Sequence, residues 1–346
     1  MSTNTDWKKE LKLILAQHNN RHAKLPKVIS HNTMQAREQA LFRMFALLRA
    51  LGYKPRPSGL NGRHLEALVE HWTAGPVAAE RLRSSGASKV VPLAQPYSAA
   101  YIQQQLSILR VFAGWIGKPG MVLPAEAYVD NPTLVQRSCC AKSDLSWSGN
   151  DVDIERVFSC VAELDPFVAV QLELMLAFGL RRKEAVMFRP QLAQVPAHAL
   201  PVGYPVGTQY LSFLRIKRGT KGGRLRYTAM RNPEQLRAFE RALAVAPYQT
   251  SHVGRPGLSL KQALDRFSNV LRAAGVSRKL LGVTAHGLRH QFAGDLYFEL
   301  TELPAPVRGG DISGDPDLVA AAYLEVARQL GHNRPAISGA YLGSRR

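Results

Sequence analysis

The sequence is punctuated for helices nearly from end to end, and a single stretch reads as β-structure. Tyr210 to Ile216 and Leu225 to Met230 form two runs around Gly219, Gly222 and Gly223, which predicts a hairpin. Elsewhere the signals are helical. Leu41, Phe45 and Leu48 are spaced for one helix face within Thr33–Leu51, with Gly52 suited to its stop. Asn61 opens a short helix through Trp72. Ser98 opens another that carries Ile102, Leu106, Leu109, Phe112 and Ile116. Lys54-Pro55-Arg56-Pro57 reads as an extended basic connector, and Gly75 to Gln95 as a loop.

Further along, Asp165-Pro166 is a cap followed by proline at the first helical position, with Gly179 as the stop. Asn232-Pro233, Ser259 (with Gln262 three residues on), Thr284 and Asp315-Pro316 start four more helices, and Gly331 ends the last. Between the two series, periodicity vanishes from Asn131 to Asn150. The reading is a mainly α protein with a small antiparallel sheet. A helical domain occupies 1–135, a linker 136–150 and a second domain 151–346, sizes usual for domains.

Charge restricts the partner. The 45 Lys and Arg against 26 Asp and Glu leave a formal net charge of +19, which favours a polyanion. Membrane lipid is the poorer choice. The most apolar stretch, Phe167 to Leu180, contains Glu173 and falls short of the ~20 residues a span needs. The start, Met1 to Glu10, has no apolar stretch of the signal-peptide kind, so a cytoplasmic location is expected. Cys139, Cys140 and Cys160 form no C-x-x-C pair, and the scattered histidines lack zinc spacing.

Four short pieces can carry chemistry. Arg181 and Glu184 lie three apart on one helix face, where an ordinary surface ion pair is the commoner outcome. His286 and Arg289 also share a face, with Leu288, Phe292 and Leu296 on the buried one, and a guanidinium beside a titratable ring suits a phosphate. His290 reads as a partly buried histidine with a hydrogen-bond partner. His332 and Tyr341 are nine apart, nearly opposite on a straight helix, but Gly331 and Pro335 break the helix and let both face one site. Lys221, in Thr220-Lys221-Gly222-Gly223-Arg224, sits at the hairpin tip; a solvated turn is the bland alternative.

In this order the pieces resemble the tyrosine recombinase (phage integrase) family across the whole chain. Gly179 to Glu184 looks like its Gly-Leu-Arg-x-x-Glu box, His286 to His290 like His-x-Leu-Arg-His, and Leu330-Gly331-His332 with Tyr341 like its final box. Lys221 matches the hairpin lysine better than Lys217, which falls before the turn. The N-terminal half resembles the family's SAM-like core-binding domain by pattern only. Two features depart from the family: the Pro/Gly-rich insertion Pro304 to Pro316, and the five residues Leu342 to Arg346 after the tyrosine, too few for a helix exchanged between protomers.

The resemblance implies a DNA-cleaving and rejoining enzyme without cofactor, ATP or metal. Tyr341 would be the nucleophile, Arg181 and Arg289 the phosphate grip, Lys221 the general acid, and Glu184 a supporting residue. His286 would help move the tyrosine proton, and His332 would hydrogen-bond the phosphate. Partners would be double-stranded DNA with recombination sites, three further copies in a DNA-bound tetramer, and accessory DNA-bending proteins. The role expected is integration or excision of a mobile element. The alternatives are a type IB topoisomerase, which uses the same groups, and a non-catalytic DNA-binding or architectural protein.

Overall fold

The computed structural model describes residues 6–23, 25–74, 93–202, 204, 210, 212–310, 314–332 and 334–344. Most of the loop expected at Gly75–Gln95 lies outside them. The chain divides into two compact units, Met1–Ser138 and Cys139–Arg346.

The first unit is helical: α1 (Trp7–His18), α2 (His31–Ala50), α3 (Gly62–Thr73) and α4 (Ala99–Trp115). The expected apolar faces meet in its core, where Leu41, Phe45 and Leu48 pack with Leu65, Leu68, Trp72, Ile102, Leu106, Leu109 and Phe112. Ile116 falls just past α4 and is only partly buried against that core. The caps act as the side chains dictate. Ser98 Oγ accepts the Tyr101 amide at 3.3 Å, satisfying a donor that a helix start leaves free. At the end of α2, Gly52 (φ +89°) turns the chain so that Tyr53 N–H returns to the Leu48 carbonyl at 2.9 Å.

The second unit begins with α5 (Ile154–Leu164), α6 (Pro166–Phe178) and α7 (Arg182–Val186). A three-stranded antiparallel sheet follows, β1 (Gln194–Val195), β2 (Ser212–Ile216) and β3 (Arg226–Met230), in that spatial order. The hairpin pairs Ser212 with Met230 and Ile216 with Arg226. The two residues of β1, which the sequence reading did not include, pair with Phe213 and Leu214. Then come α8 (Pro233–Val245), α9 (Leu260–Ala273), α10 (Arg278–Leu281), α11 (Gly287–Thr301), α12 (Pro316–Gln329) and α13 (Gly339–Leu342).

Helix α11 is the axis of this unit. One apolar cluster, with Leu288, Phe178 and Leu180, lies to one side of it; another, with Phe292, Leu296, Tyr323 and Leu330, lies to the other. The single buried face expected for this helix is therefore too narrow, since nearly every residue from Gly287 to Tyr297 is buried.

Two other expectations shift. Most of the stretch read as a linker lies in the second unit. Trp147 is fully buried there and its indole N–H donates to the Thr284 carbonyl at 2.8 Å, while Ser148 bonds Gln291. A short polar stretch can hide such an anchor, because a single indole buries a large apolar area and still offers one N–H donor. Thr284 does not cap α11; His286 holds that position. No described helix is long and apolar enough to cross a membrane.

Candidate functional site

The site is assembled where the ends of α6 and α12 meet the start of α11. Gly179 ends α6 in the left-handed region (φ +58°), and a Cβ there would meet the Phe292 ring at 2.6 Å and Leu330 at 2.7 Å. Only glycine suits both demands. That close approach turns the Gly179 carbonyl towards Arg289, whose Nη1 donates to it.

Arg289 is fully buried. Its Nη2 donates to the Leu330 carbonyl at 2.6 Å and lies 3.3 Å from His332 Nε2, and its Nε donates to the Tyr341 hydroxyl at 3.1 Å. His332 Nε2 is itself 3.4 Å from that hydroxyl. Protein carbonyls thus fix the guanidinium, and Tyr341 closes the cluster from outside with 8% of its surface exposed.

The tyrosine reaches this position because Gly331 (φ +72°) stops α12 and Pro335–Ser338 turns the chain into α13. Ser338 Oγ donates to the Tyr323 carbonyl at 2.7 Å, and the Gly339 carbonyl accepts the Ala141 amide at 2.8 Å, which pins both flanks of the turn. The described part of the 304–316 insertion adds a brace. Arg308 reaches Asp144 at 3.2 Å and Asp295 at 3.0 Å, and Val307 packs against Gly343.

A second layer holds Arg181. It caps α7: its amide donates to Glu184 Oε2 at 2.9 Å and its Nη1 to Oε1 at 2.6 Å. Arg181 is not on the helix face that the sequence spacing suggests, yet the pair forms. Glu184 is wholly buried and also accepts from Arg226 Nη2 at 3.0 Å. Burial pushes its carboxyl up, but Arg226, then Arg181 and Arg289, outweigh this and hold it at about 2. Three guanidiniums against one carboxylate leave the pocket strongly positive.

The histidines are held neutral. Burial first, then the guanidiniums of Arg289 and Arg181, lower both His286 and His332 to about 4. His286 is exposed at the start of α11, its ring centre 6.2 Å from the Tyr341 ring, so the lowering comes from the protein side of the ring. His290 is buried, is lowered to about 4 mainly by that burial, and packs its ring 4.9 Å from Tyr341. Its Nδ1 has no partner among the described residues, against the hydrogen-bonded histidine expected.

Lys221 stands apart. It occupies the exposed tip of the β2–β3 hairpin and makes no hydrogen bond or ion pair among the described residues. The hairpin base nevertheless lies against α7: a Cβ on Gly219 would meet the Lys183 carbonyl at 2.5 Å. Among the described residues, Arg289, His332 and Tyr341 therefore touch, His286 borders them, Arg181 is linked to them only through Glu184 and Arg226, and Lys221 makes no contact with them.

Arg226 escaped the sequence reading. The available signal was an arginine at the same strand phase as Thr228 and Met230, whose side chains point inward; an inward charge on a strand requires a buried counter-charge.

Residues 138–295 match the family model described as Integrase. No protein of curated function matches the sequence significantly. Among solved structures, the chain is similar to XerH site-specific recombinase bound to a palindromic difH substrate, at 16% identity over 96% of this chain and 80% of that one, TM-score 0.49. It is similar to a lambda integrase dimer bound to a COC' core site, at 15% over 99% and 78%, TM-score 0.49. It is also similar to the Tn1549 transposon integrase with circular intermediate DNA, at 14% over 97% and 95%, TM-score 0.48.

Proposed function

We propose that this protein is a member of the tyrosine recombinase (phage integrase) family, a reading supported by the match of residues 138–295 to the Integrase family model, and that it cuts and rejoins DNA at specific sites through a tyrosyl ester. The observation that carries the reading is the Tyr341 hydroxyl, 3.1 Å from a buried guanidinium and 3.4 Å from a neutral histidine.

A free tyrosine hydroxyl has a pKa of ~10, so only about 0.1% is ionised at pH 7. Attack therefore needs a group that takes the tyrosine proton and fixed positive charge that offsets the negative charge building on the phosphoryl group, which the surrounding guanidiniums supply. In the proposed step Tyr341 Oη bonds to the scissile phosphorus as the bond from phosphorus to the 5′ oxygen breaks. The tyrosine proton passes to His286, whose ring is neutral at pH 7 and so can accept it. Lys221 gives a proton to the departing oxygen, leaving a 3′-phosphotyrosine and a 5′-hydroxyl. Attack by a 5′-hydroxyl reverses the step, and the ester retains the bond energy, so no ATP is consumed.

The two arginines do unequal work in this scheme. Arg181, with 26% of its side chain exposed, is open to a non-bridging oxygen. Arg289 is not: its Nε–H is already taken by the tyrosine. An incoming phosphate oxygen competes for that N–H and thereby frees the hydroxyl for attack. Charge held where negative charge develops is commonly the largest catalytic contribution. His332 adds a hydrogen bond to the phosphate, and Glu184 fixes Arg181.

The substrate is double-stranded DNA with recombination sites, consistent with the +19 charge. Exchange between two sites consumes four tyrosines, so a tetramer on DNA passing through a Holliday junction is the working assembly, with DNA-bending helpers. Integration or excision of a mobile element is the expected role, in the cytoplasm.

The test uses a pool of nicked random-sequence duplexes, where loss of the short 5′-hydroxyl fragment traps the ester. Wild-type protein should yield a denaturant-resistant adduct and Tyr341→Phe none. Binding without any adduct would leave an architectural DNA-binding protein. Relaxed plasmids with no exchanged flanks on paired sites would mark a topoisomerase instead.

A further inference from the structure

Arg226 opens β3 opposite Ile216, with its side chain turned inward and the residue 5% exposed. Its two terminal nitrogens point to different elements. Nη2 donates to Glu184 Oε2 at 3.0 Å, while Nη1 donates to the carbonyl of Gln329, the last residue of α12. The aliphatic stem lies directly under Gly331, where there is no room for a Cβ. Gln329 fastens the same junction from its side: its Oε1 accepts from Thr228 Oγ1 and from the Ala229 amide, both at 3.2 Å.

Two chains of contact leave this one guanidinium. The first runs through the Glu184 carboxylate to the amide and Nη1 of Arg181. The second runs through Gln329 and Gly331 to His332, which follows directly in the sequence. Both terminal nitrogens of Arg226 are taken by protein acceptors, so neither is left for a phosphate. Behind it along the chain, five residues back, stands Lys221.

Building on the recombinase reading, we infer that Arg226 is a positioning residue for strand cleavage, holding Arg181 and His332 in register through Glu184 and the 329–331 turn. An ion pair kept only for folding would share the burial. It would not couple the rate of the chemical step to Glu184, and a lysine would have no special power to restore that rate.

The experiment takes one nicked duplex, recovered from the random pool by adduct formation with wild-type protein, and measures single-turnover cleavage at saturating protein beside DNA affinity. Arg226→Met should slow cleavage about tenfold to a hundredfold, as expected for displaced catalytic groups. DNA affinity should stay within about twofold, because a group that acts in the transition state changes rate rather than binding. Arg226→Lys, which can still reach the carboxylate, should recover most of the rate. In a Glu184→Gln background the Met substitution should cost far less than in wild type, the non-additivity of residues acting through one contact. That background also removes the buried charge that could unfold the single variant.

Wild-type rates in Arg226→Met, equal losses of rate and affinity, no benefit of Lys over Met, or additive effects with Glu184→Gln would each overturn the proposal. Failure of wild-type protein to form any adduct would instead overturn the recombinase reading beneath it. The two failures are thus told apart.

Discussion

Around Tyr341 nearly every polar atom of the cluster is engaged, while at the tip of the β2–β3 hairpin Lys221 extends into solvent with no partner among the described residues. Both regions hold residues that the same reaction would need, yet they are built by opposite rules. The tyrosine cluster sits inside a hydrophobic core with Phe292, Tyr323 and Leu330, so its chemistry and its stability are joined. The hairpin tip contributes nothing to the core and is shaped by three glycines at positive φ, Gly219, Gly222 and Gly223. A group that must approach DNA is best carried on an element that can adjust. A group that must resist misplacement is best held by carbonyls that cannot move.

That contrast can be broken or sharpened by substitution, and the largest effect should fall on Arg289. Arg289→Met leaves the Gly179 and Leu330 carbonyls buried without a donor and should cost about 2–5 kcal/mol, read by urea unfolding, along with all cleavage. A stable, inactive variant would mean that the guanidinium serves chemistry alone.

Acid comes next. The unfolded His290 ring takes up a proton near its ordinary pKa, while the folded ring does so only near about 4. Its contribution to stability is therefore full above pH 6.5 and lost as pH falls towards 4, about 3 kcal/mol by linkage. His290→Gln should flatten the fall of the urea midpoint across this window; an unchanged slope would assign the acid sensitivity to other groups.

A smaller loss is expected from Gly331→Ala, about 1–2 kcal/mol in urea unfolding, from the left-handed backbone and the Arg226 stem beneath it. Smallest in stability is Lys221→Ala, within about 0.5 kcal/mol of wild type, as for an exposed side chain. Its cleavage rate should nonetheless fall about 10²–10⁴-fold. A duplex with sulfur in place of the departing 5′ oxygen, which leaves without a proton, should restore it. A large stability change or an undiminished rate would erase the contrast between the two regions.

Much of this was legible in the residues themselves. The caps at Ser98, Asp165, Ser259 and Asp315 and the stops at Gly52, Gly179 and Gly331 all act locally, so a local reading finds them. The spacing of His332 and Tyr341 could be interpreted because Gly331 and Pro335 advertise a broken helix. Long-range partnerships were not legible. Trp147 looked like part of a polar connector because its acceptor, the Thr284 carbonyl, is 137 residues away. Arg226 looked like one more basic residue because Glu184 and Gln329 meet only in the folded unit. Thr284 had the chemistry of a cap, yet its carbonyl is taken by Trp147 and the Gly287 amide in a turn before α11.

The most direct measurement is the chemical identity of the linkage. The adduct formed on a nicked duplex would be digested with nuclease and mapped by mass spectrometry, and the released strand end assayed for phosphorylation by a polynucleotide kinase. A nucleotide on Tyr341, joined through a 3′ phosphate and leaving a free 5′-hydroxyl, is the predicted result. A nucleotide on any other residue, or a 5′-phosphate linkage, would contradict the account.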